Sequence, residues 1–193
     1  EKTCALRLGP GSDPETDVGP LIRPTAVQRM QDLVQDAVDR GARLLAGGRP
    51  RPDLGPCFYE PTVLAGVDST MCVFQEETFG PILAIQTVRD AEQAVARVND
   101  SPFALAASVW TRDAARGREI ARRLRAGAVM VNDAISAFAI AEAPHGGCAS
   151  SGWGRTHSRY GLLEMVRMKY IDVDRMPHRA KPWWYRYGAG VER

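Results

Sequence analysis

Two adjacent carboxylates, Glu76 and Glu77, stand just before Phe79-Gly80-Pro81 in the stretch FQEETFGPIL, 74–83. A carboxylate accepts two hydrogen bonds and so suits a vicinal diol such as a ribose, as in many dinucleotide enzymes. An aromatic ring close behind it, held by Gly-Pro, could press on a flat ring such as nicotinamide. A solvated acidic turn with Phe79 in the core fits the same letters. A second constellation is the loop PHGGCASSGWGR, 144–155. It lacks the Gly-Lys-Ser/Thr of a phosphate-binding P-loop and does not follow a strand as G-x-G-x-x-G must. Gly146 and Gly147 there permit a sharp turn or a close approach of backbone to a ligand. His145 could line a pocket or act as a base; a loop histidine can equally do neither.

The 4 cysteines, Cys4, Cys57, Cys72 and Cys148, are widely scattered and make no C-x-x-C pair. The 3 histidines, His145, His157 and His178, lack zinc spacing, so no metal site is expected. Size and scatter argue against a disulfide framework and for free thiols in a reducing cytoplasm. Arg112, Arg116, Arg118, Arg122, Arg123 and Arg125 spread around more than one helix face, as a solvated surface does. A nucleic-acid site on them would show steep salt dependence. Trp183, Trp184, Tyr185 and Tyr187, with Lys181 and Arg186, suit a membrane interface or packing against a neighbouring subunit or domain.

These groups need a scaffold. A Gly- and Pro-rich loop, 9–24, precedes a helix that Thr25 can cap. Its apolar stripe is Val27, Met30, Leu33, Val34, Ala37 and Val38, and Gly41 ends it. Short strands are expected in ARLLAGG and PTVLAGV, separated by a proline-rich loop, 48–58. Next come a strand over 82–88, a helix capped by Asp90 with Gln93 behind it, and a strand over 104–110. An Asp113-capped helix to about Leu124 and a strand over 128–132 follow. That β-α-β-α-β order predicts an α/β fold, an open parallel sheet with helices on both faces. A short helix near 159–165 and a half-exposed strand RMKYIDV, 167–173, complete the pattern. A lone late strand needs a partner, such as an edge on another subunit, and reads as an arm for oligomerisation.

The chain has 193 residues, 45% hydrophobic and 25% charged, enough for one sizeable domain and against disorder. A net charge of +2 gives no case for a nucleic-acid binder, and no apolar run approaches a membrane span. The first residues, EKTCALRLG, read as the end of a helix, as if the chain began in the middle of something.

Several of these stretches, in order, resemble the C-terminal part of the aldehyde dehydrogenase superfamily. DPETDVGPLI (13–22) looks like that family's loop before the first helix of its catalytic domain, and EETFGPIL (76–83) matches its E-E-x-F-G-P motif. NDSPFALAASVWTRD (99–113) and GAVMVND (127–133) match two further segments, with Ala104 where Gly is usual. PHGGCASSGWGR is similar to its P-F-G-G-x-K-x-S-G-x-G-R loop. The resemblance covers about 1–174. It divides the chain into a catalytic-domain portion (1–156), a helix and oligomerisation strand (157–175) and an aromatic, basic tail (176–193).

The resemblance implies oxidation of a small-molecule aldehyde to a carboxylic acid by NAD or NADP. A cysteine thiolate forms a thiohemiacetal, hydride leaves, and water releases the acid from a thioester. By position, Glu77 would hold the nicotinamide ribose hydroxyls and Phe79 would pack at the nicotinamide end. His145 would sit at the inner mouth of the substrate tunnel, where Phe is common, and Asn132 would match a structural Asn near that site. A homodimer or dimer of dimers is implied. The departures matter. The family's nucleophile segment, G-Q-x-C, is not found here, and Cys4 lies after its place. The general-base Glu, the oxyanion-hole Asn and the Rossmann-like domain also lie upstream. Ala149 replaces a usual Lys and Thr156 a usual acid. The expectation is therefore a catalytic-domain part without catalytic residues of its own, inactive alone. The alternative is a naturally short, non-catalytic module that keeps an oligomerisation and partner surface.

Overall fold

The computed structural model describes residues 1–179 and 181. Helix α1 (Pro24–Asp39) buries Val27, Met30, Leu33, Val34 and Ala37, the expected stripe. Thr25 does not cap it. Pro24 takes the first helical position, where its fixed φ fits and its missing N–H costs nothing, and Arg23 becomes the extended cap residue. Gly41 ends the helix at φ 99°, a left-handed turn that favours glycine.

The face of α1 packs on a sheet of β1 (Arg43–Ala46), β2 (Thr62–Ala65) and β3 (Ile82–Ile85). Strand β2 is central and buried at every position, as four consecutive apolar or threonine residues between two neighbours require. It runs antiparallel to β1 and parallel to β3. Tyr59, Met30, Leu64, Met71 and Thr62 are the largest fully buried side chains, and all lie on or beside this layer. The turn of α2 (Cys72–Gln75) closes one end.

Helix α3 (Ala91–Asn99) starts on Asp90, whose carboxylate accepts the Gln93 N–H at 2.8 Å. Helix α4 (Ala114–Arg123) starts on Asp113, which accepts from Ala115 and Arg116. The expected strand over 104–110 is broken at Leu105. Its first part, β4 (Phe103–Ala104), pairs antiparallel with β7 (Cys148–Ala149) from the late loop. Its second part, β5 (Ala106–Val109), pairs parallel with β6 (Ala128–Val131), and α4 packs on both. Short α5 (Ser136–Ala139) and α6 (Ser158–Glu164) follow.

The α/β class stands, with helices on both sides. The continuous parallel sheet does not, because the described strands form three mixed or small sheets. The run 167–173 is not a strand either. A strand exists only through its partner's hydrogen bonds, and no described edge reaches it. Met168 and Tyr170 are 88% and 87% exposed, and Ile171 and Val173 are open as well. The aromatic tail from Trp183 to Tyr187 lies outside the described residues. At the N-terminus only a short 3-10 turn forms, Thr3–Ala5. Among the described residues no helix is long and apolar enough to cross a membrane.

Candidate functional site

The acidic turn leaves α2 in extended backbone at Glu76 (φ −111°, ψ 152°). Arg29 of α1 reaches it, with Nη2 donating to the Glu77 carbonyl at 2.6 Å and lying 3.4 Å from the Glu76 carboxylate. The Glu77 carboxylate itself takes no hydrogen-bond or ion-pair partner among the described residues. Phe79 is 85% exposed and sits at φ 48°, a conformation a bulky residue adopts at a cost of ~1–3 kcal/mol. Of the two readings of the stretch, the core phenylalanine is excluded. Gly80 lies so close to Met30 that a Cβ would collide with its sulfur. Thr62 N–H then donates to the Pro81 carbonyl at 2.7 Å and feeds the turn into β3.

The second constellation folds back toward the first. Ala104 N–H donates to Ser151 Oγ at 2.8 Å, so the late loop is stitched to β4. Arg155 Nη1 donates to the carbonyls of Gly147 (2.9 Å) and Gly154 (2.6 Å), lashing the loop from inside. A Cβ on Gly127 would strike the Gly146 carbonyl. The glycines thus serve a close approach of backbone to backbone. As a result Glu77, Phe103, Leu105, Ala106, Ser150 and Ser151 line one groove of about 470 Å³. Phe79 does not line this groove; with Glu77 it borders a second hollow of about 300 Å³ against α1, beside Arg23, Ala26 and Arg29. Glu77 is common to both, and its carboxylate, unpaired among the described residues, is the kind of acceptor that the hydroxyls of a ribose would fit.

His145 belongs to a separate cluster. Its backbone exchanges two hydrogen bonds with Thr156 (3.0 and 2.7 Å). Its ring meets Phe138 edge-on at 5.4 Å, and His157 meets the same Phe138 at 5.6 Å. The two imidazoles lie 6.3 Å apart, and the Nδ1 of each is buried with no partner among the described residues. His157 and Ser158 take positive φ, 61° and 55°, and Ser158 N–H anchors the bend on the Ala141 carbonyl at 2.7 Å. Asp133 starts the segment that carries Phe138. Its carboxylate accepts the N–H groups of Ile135 and Ser136, which pull its pKa down to about 2.

Asn132 is neither in the groove nor in the histidine cluster. At φ 59°, it spends both ends of its amide on Thr111: Oδ1 accepts the N–H and Nδ2 donates to the carbonyl, each at 2.8 Å. It ties the end of β5 to the end of β6 and so fixes where the Asp133 segment departs. Arg29, Phe138 and His157 escaped sequence reasoning; nothing local marks a residue whose role is a contact across the fold.

The cysteines are free. Burial, then Asp36, pushes the Cys72 thiol up, which disfavours a thiolate there. Among the described residues no group of three or more His, Cys, Asp or Glu could hold a metal ion.

The chain matches the aldehyde dehydrogenase family over residues 1–171. A relative from Mycobacterium ulcerans (strain Agy99), provisionally named a succinate-semialdehyde dehydrogenase of the NADP(+) type, is 42% identical over 89% of this chain and 33% of its own. The solved structure of a P449M betaine aldehyde dehydrogenase from Staphylococcus aureus, in complex with NAD+, superimposes with a TM-score of 0.87 at 31% identity. It spans 96% of this chain and 38% of that one. Succinate-semialdehyde dehydrogenase from Burkholderia pseudomallei gives 0.81 at 38% identity, over 88% and 35%. The chain spans about a third of the length of the curated relatives it matches. On the match over 1–171 and these likenesses, it belongs to the aldehyde dehydrogenase family.

Proposed function

We propose that the chain is the C-terminal, catalytic-domain part of an NAD(P)-dependent aldehyde dehydrogenase. In this reading Glu77 accepts the hydroxyls of the nicotinamide ribose and Phe79 bounds the nicotinamide end. The cofactor, when bound, accepts the hydride that leaves the aldehyde carbon. His145, edge-on to Phe138, forms a polar wall where the aldehyde enters, and Asn132 fixes the strand ends behind that wall. The observation that supports the reading is the unpaired Glu77 carboxylate between two hollows, one shared with the Ser150–Ser151 loop and one shared with Phe79. Aldehydes of the kinds named for the relatives, succinate semialdehyde and betaine aldehyde, are the first substrates to try.

In this reading the thiolate nucleophile comes from a G-Q-x-C segment, which these residues do not contain; Cys148, beside the groove, directs its thiol to the Ala104 carbonyl at 3.7 Å, and burial pushes the Cys72 thiol up. A second reading, a non-catalytic assembly module, is favoured by the open apolar run Met165–Val173. The run serves a homodimer or dimer of dimers in either case. The test is NAD(P) reduction at 340 nm with each aldehyde. The enzyme that contains this chain together with a G-Q-x-C segment turns over, and the 193-residue chain alone does not. Turnover by the chain alone would overturn the placement of the nucleophile; an inert complete enzyme would favour the module.

A further inference from the structure

We infer that helix α1 is the positioning element of the Glu77 turn, with Arg29 as its positioning residue and Glu76 as Arg29's counter-charge rather than a second sugar ligand. The inference rests on the proposed role of Glu77 and divides the labour of the acidic pair.

Three holds run along α1. Asp36 Oδ2 accepts the Cys72 N–H at 2.8 Å, where the segment begins. Met30 fills the space under Gly80, where it ends. Arg29 grips the middle, at the Glu77 carbonyl and the Glu76 carboxylate. Arg29 and Asp36 are two helical turns apart and so share a face, with Met30 beside them. A rigid helix packed on the core thus sets both ends and the centre of 72–80.

The extended backbone at Glu76 explains the division. In extended chain, neighbouring side chains point to opposite sides. Glu76 meets Arg29 with its carboxylate; Glu77 gives Arg29 its carbonyl, and its carboxylate, unpaired among the described residues, remains available to the hollows it lines. The two Arg29 contacts are unequal. The Glu76 pair is half-exposed on both sides, and such pairs contribute little. The bond to the Glu77 carbonyl is shorter and charge-assisted, the stronger kind. It also holds the turn in which Phe79 keeps its left-handed backbone.

The experiment uses the complete enzyme and two readouts, the NAD dissociation constant by calorimetry and amide hydrogen exchange over 77–80. Arg29→Met is expected to raise the dissociation constant ~10-fold and to speed exchange, as loss of a charge-assisted hydrogen bond does. Arg29→Lys, which keeps the charge, loses ~3-fold and Glu76→Gln no more than ~2-fold. Glu77→Gln raises the constant ~10-fold or more with exchange unchanged, the mark of a ligand as opposed to a positioner. Equal losses for Glu76→Gln and Glu77→Gln would overturn the division of labour. Wild-type exchange in Arg29→Met and Arg29→Lys would overturn the positioning role. Faster exchange in Arg29→Met with unaltered NAD binding in both it and Glu77→Gln would keep the positioning and sink the ribose role instead.

Discussion

The layer built from α1 and β1–β3 and the run from Met165 to Val173 have similar apolar content and opposite fates. In the first, β2 is buried along its whole length and Met30, Leu64 and Met71 are 1% exposed or less. In the second, Met165, Met168, Tyr170, Ile171 and Val173 all face outward. The layer covers its central strand with its own residues, although Leu45 and Leu83 on the flanking strands stay 57% and 58% exposed. The run has the alternation of a strand and no strand partner among the described residues. The candidate site straddles this divide: the Glu77 turn grows out of the buried layer, while the histidine cluster leads into the open run.

The comparison can be broken by mutation. Leu64→Ala should destabilise the fold by ~2–5 kcal/mol, the cost of a cavity at a fully buried position, read as a lower denaturation midpoint. Met168→Asp should leave that midpoint unchanged and lower the mass seen in light scattering. An unchanged mass, or a fold lost with Met168, would erase the contrast.

Acid should separate the regions next. Asp36 is held below its ordinary range first by the Cys72 N–H and then by Arg40, and Asp133 is held at about 2 by Ile135 and Ser136. Depressed carboxylates stabilise above their unfolded-state values, ~4, and that contribution is lost as pH falls through the folded values. Melting temperature should therefore drop between pH 4 and 2. The drop should be shallower in Asp133→Ala, and an identical slope would count against the Asp133 turn. The smallest effect is expected at Tyr59. Burial pushes its phenol up to about 12, and its hydroxyl has no partner among the described residues. Tyr59→Phe should change stability by no more than ~1 kcal/mol, in the stabilising direction if at all. A large loss would mean that an unseen partner holds the hydroxyl.

Much of the layer was legible because its signals are local. The stripe of α1 and the strand expected over 82–88, which forms only over Ile82–Ile85, follow from spacing within one element, as do the Asp90 and Asp113 caps of α3 and α4 outside the layer. Val38 sits at the edge of the stripe and proves half-open. The misreadings share a cause. Thr25 loses the cap to its own neighbour Pro24. The break at Leu105 exists only because Cys148–Ala149 returns to pair with Phe103–Ala104. The strand expected at 167–173 needs an edge that the described residues do not supply. In the site, Glu77 and Phe79 were marked by their motif, whereas Arg29 acts across 48 residues and His157 through a ring contact. Asn132 was marked as structural near the substrate, and its two bonds to Thr111 show what it holds.

The central claim is that the turn at Glu77 forms the ribose side of the cofactor site. Its most direct measurement is the cofactor KM of the complete enzyme carrying Glu77→Gln. A rise of ~10-fold or more with the aldehyde KM unchanged is expected, as when an interaction with the sugar alone is removed. An unchanged cofactor KM, or an equal rise in the aldehyde KM, would contradict it.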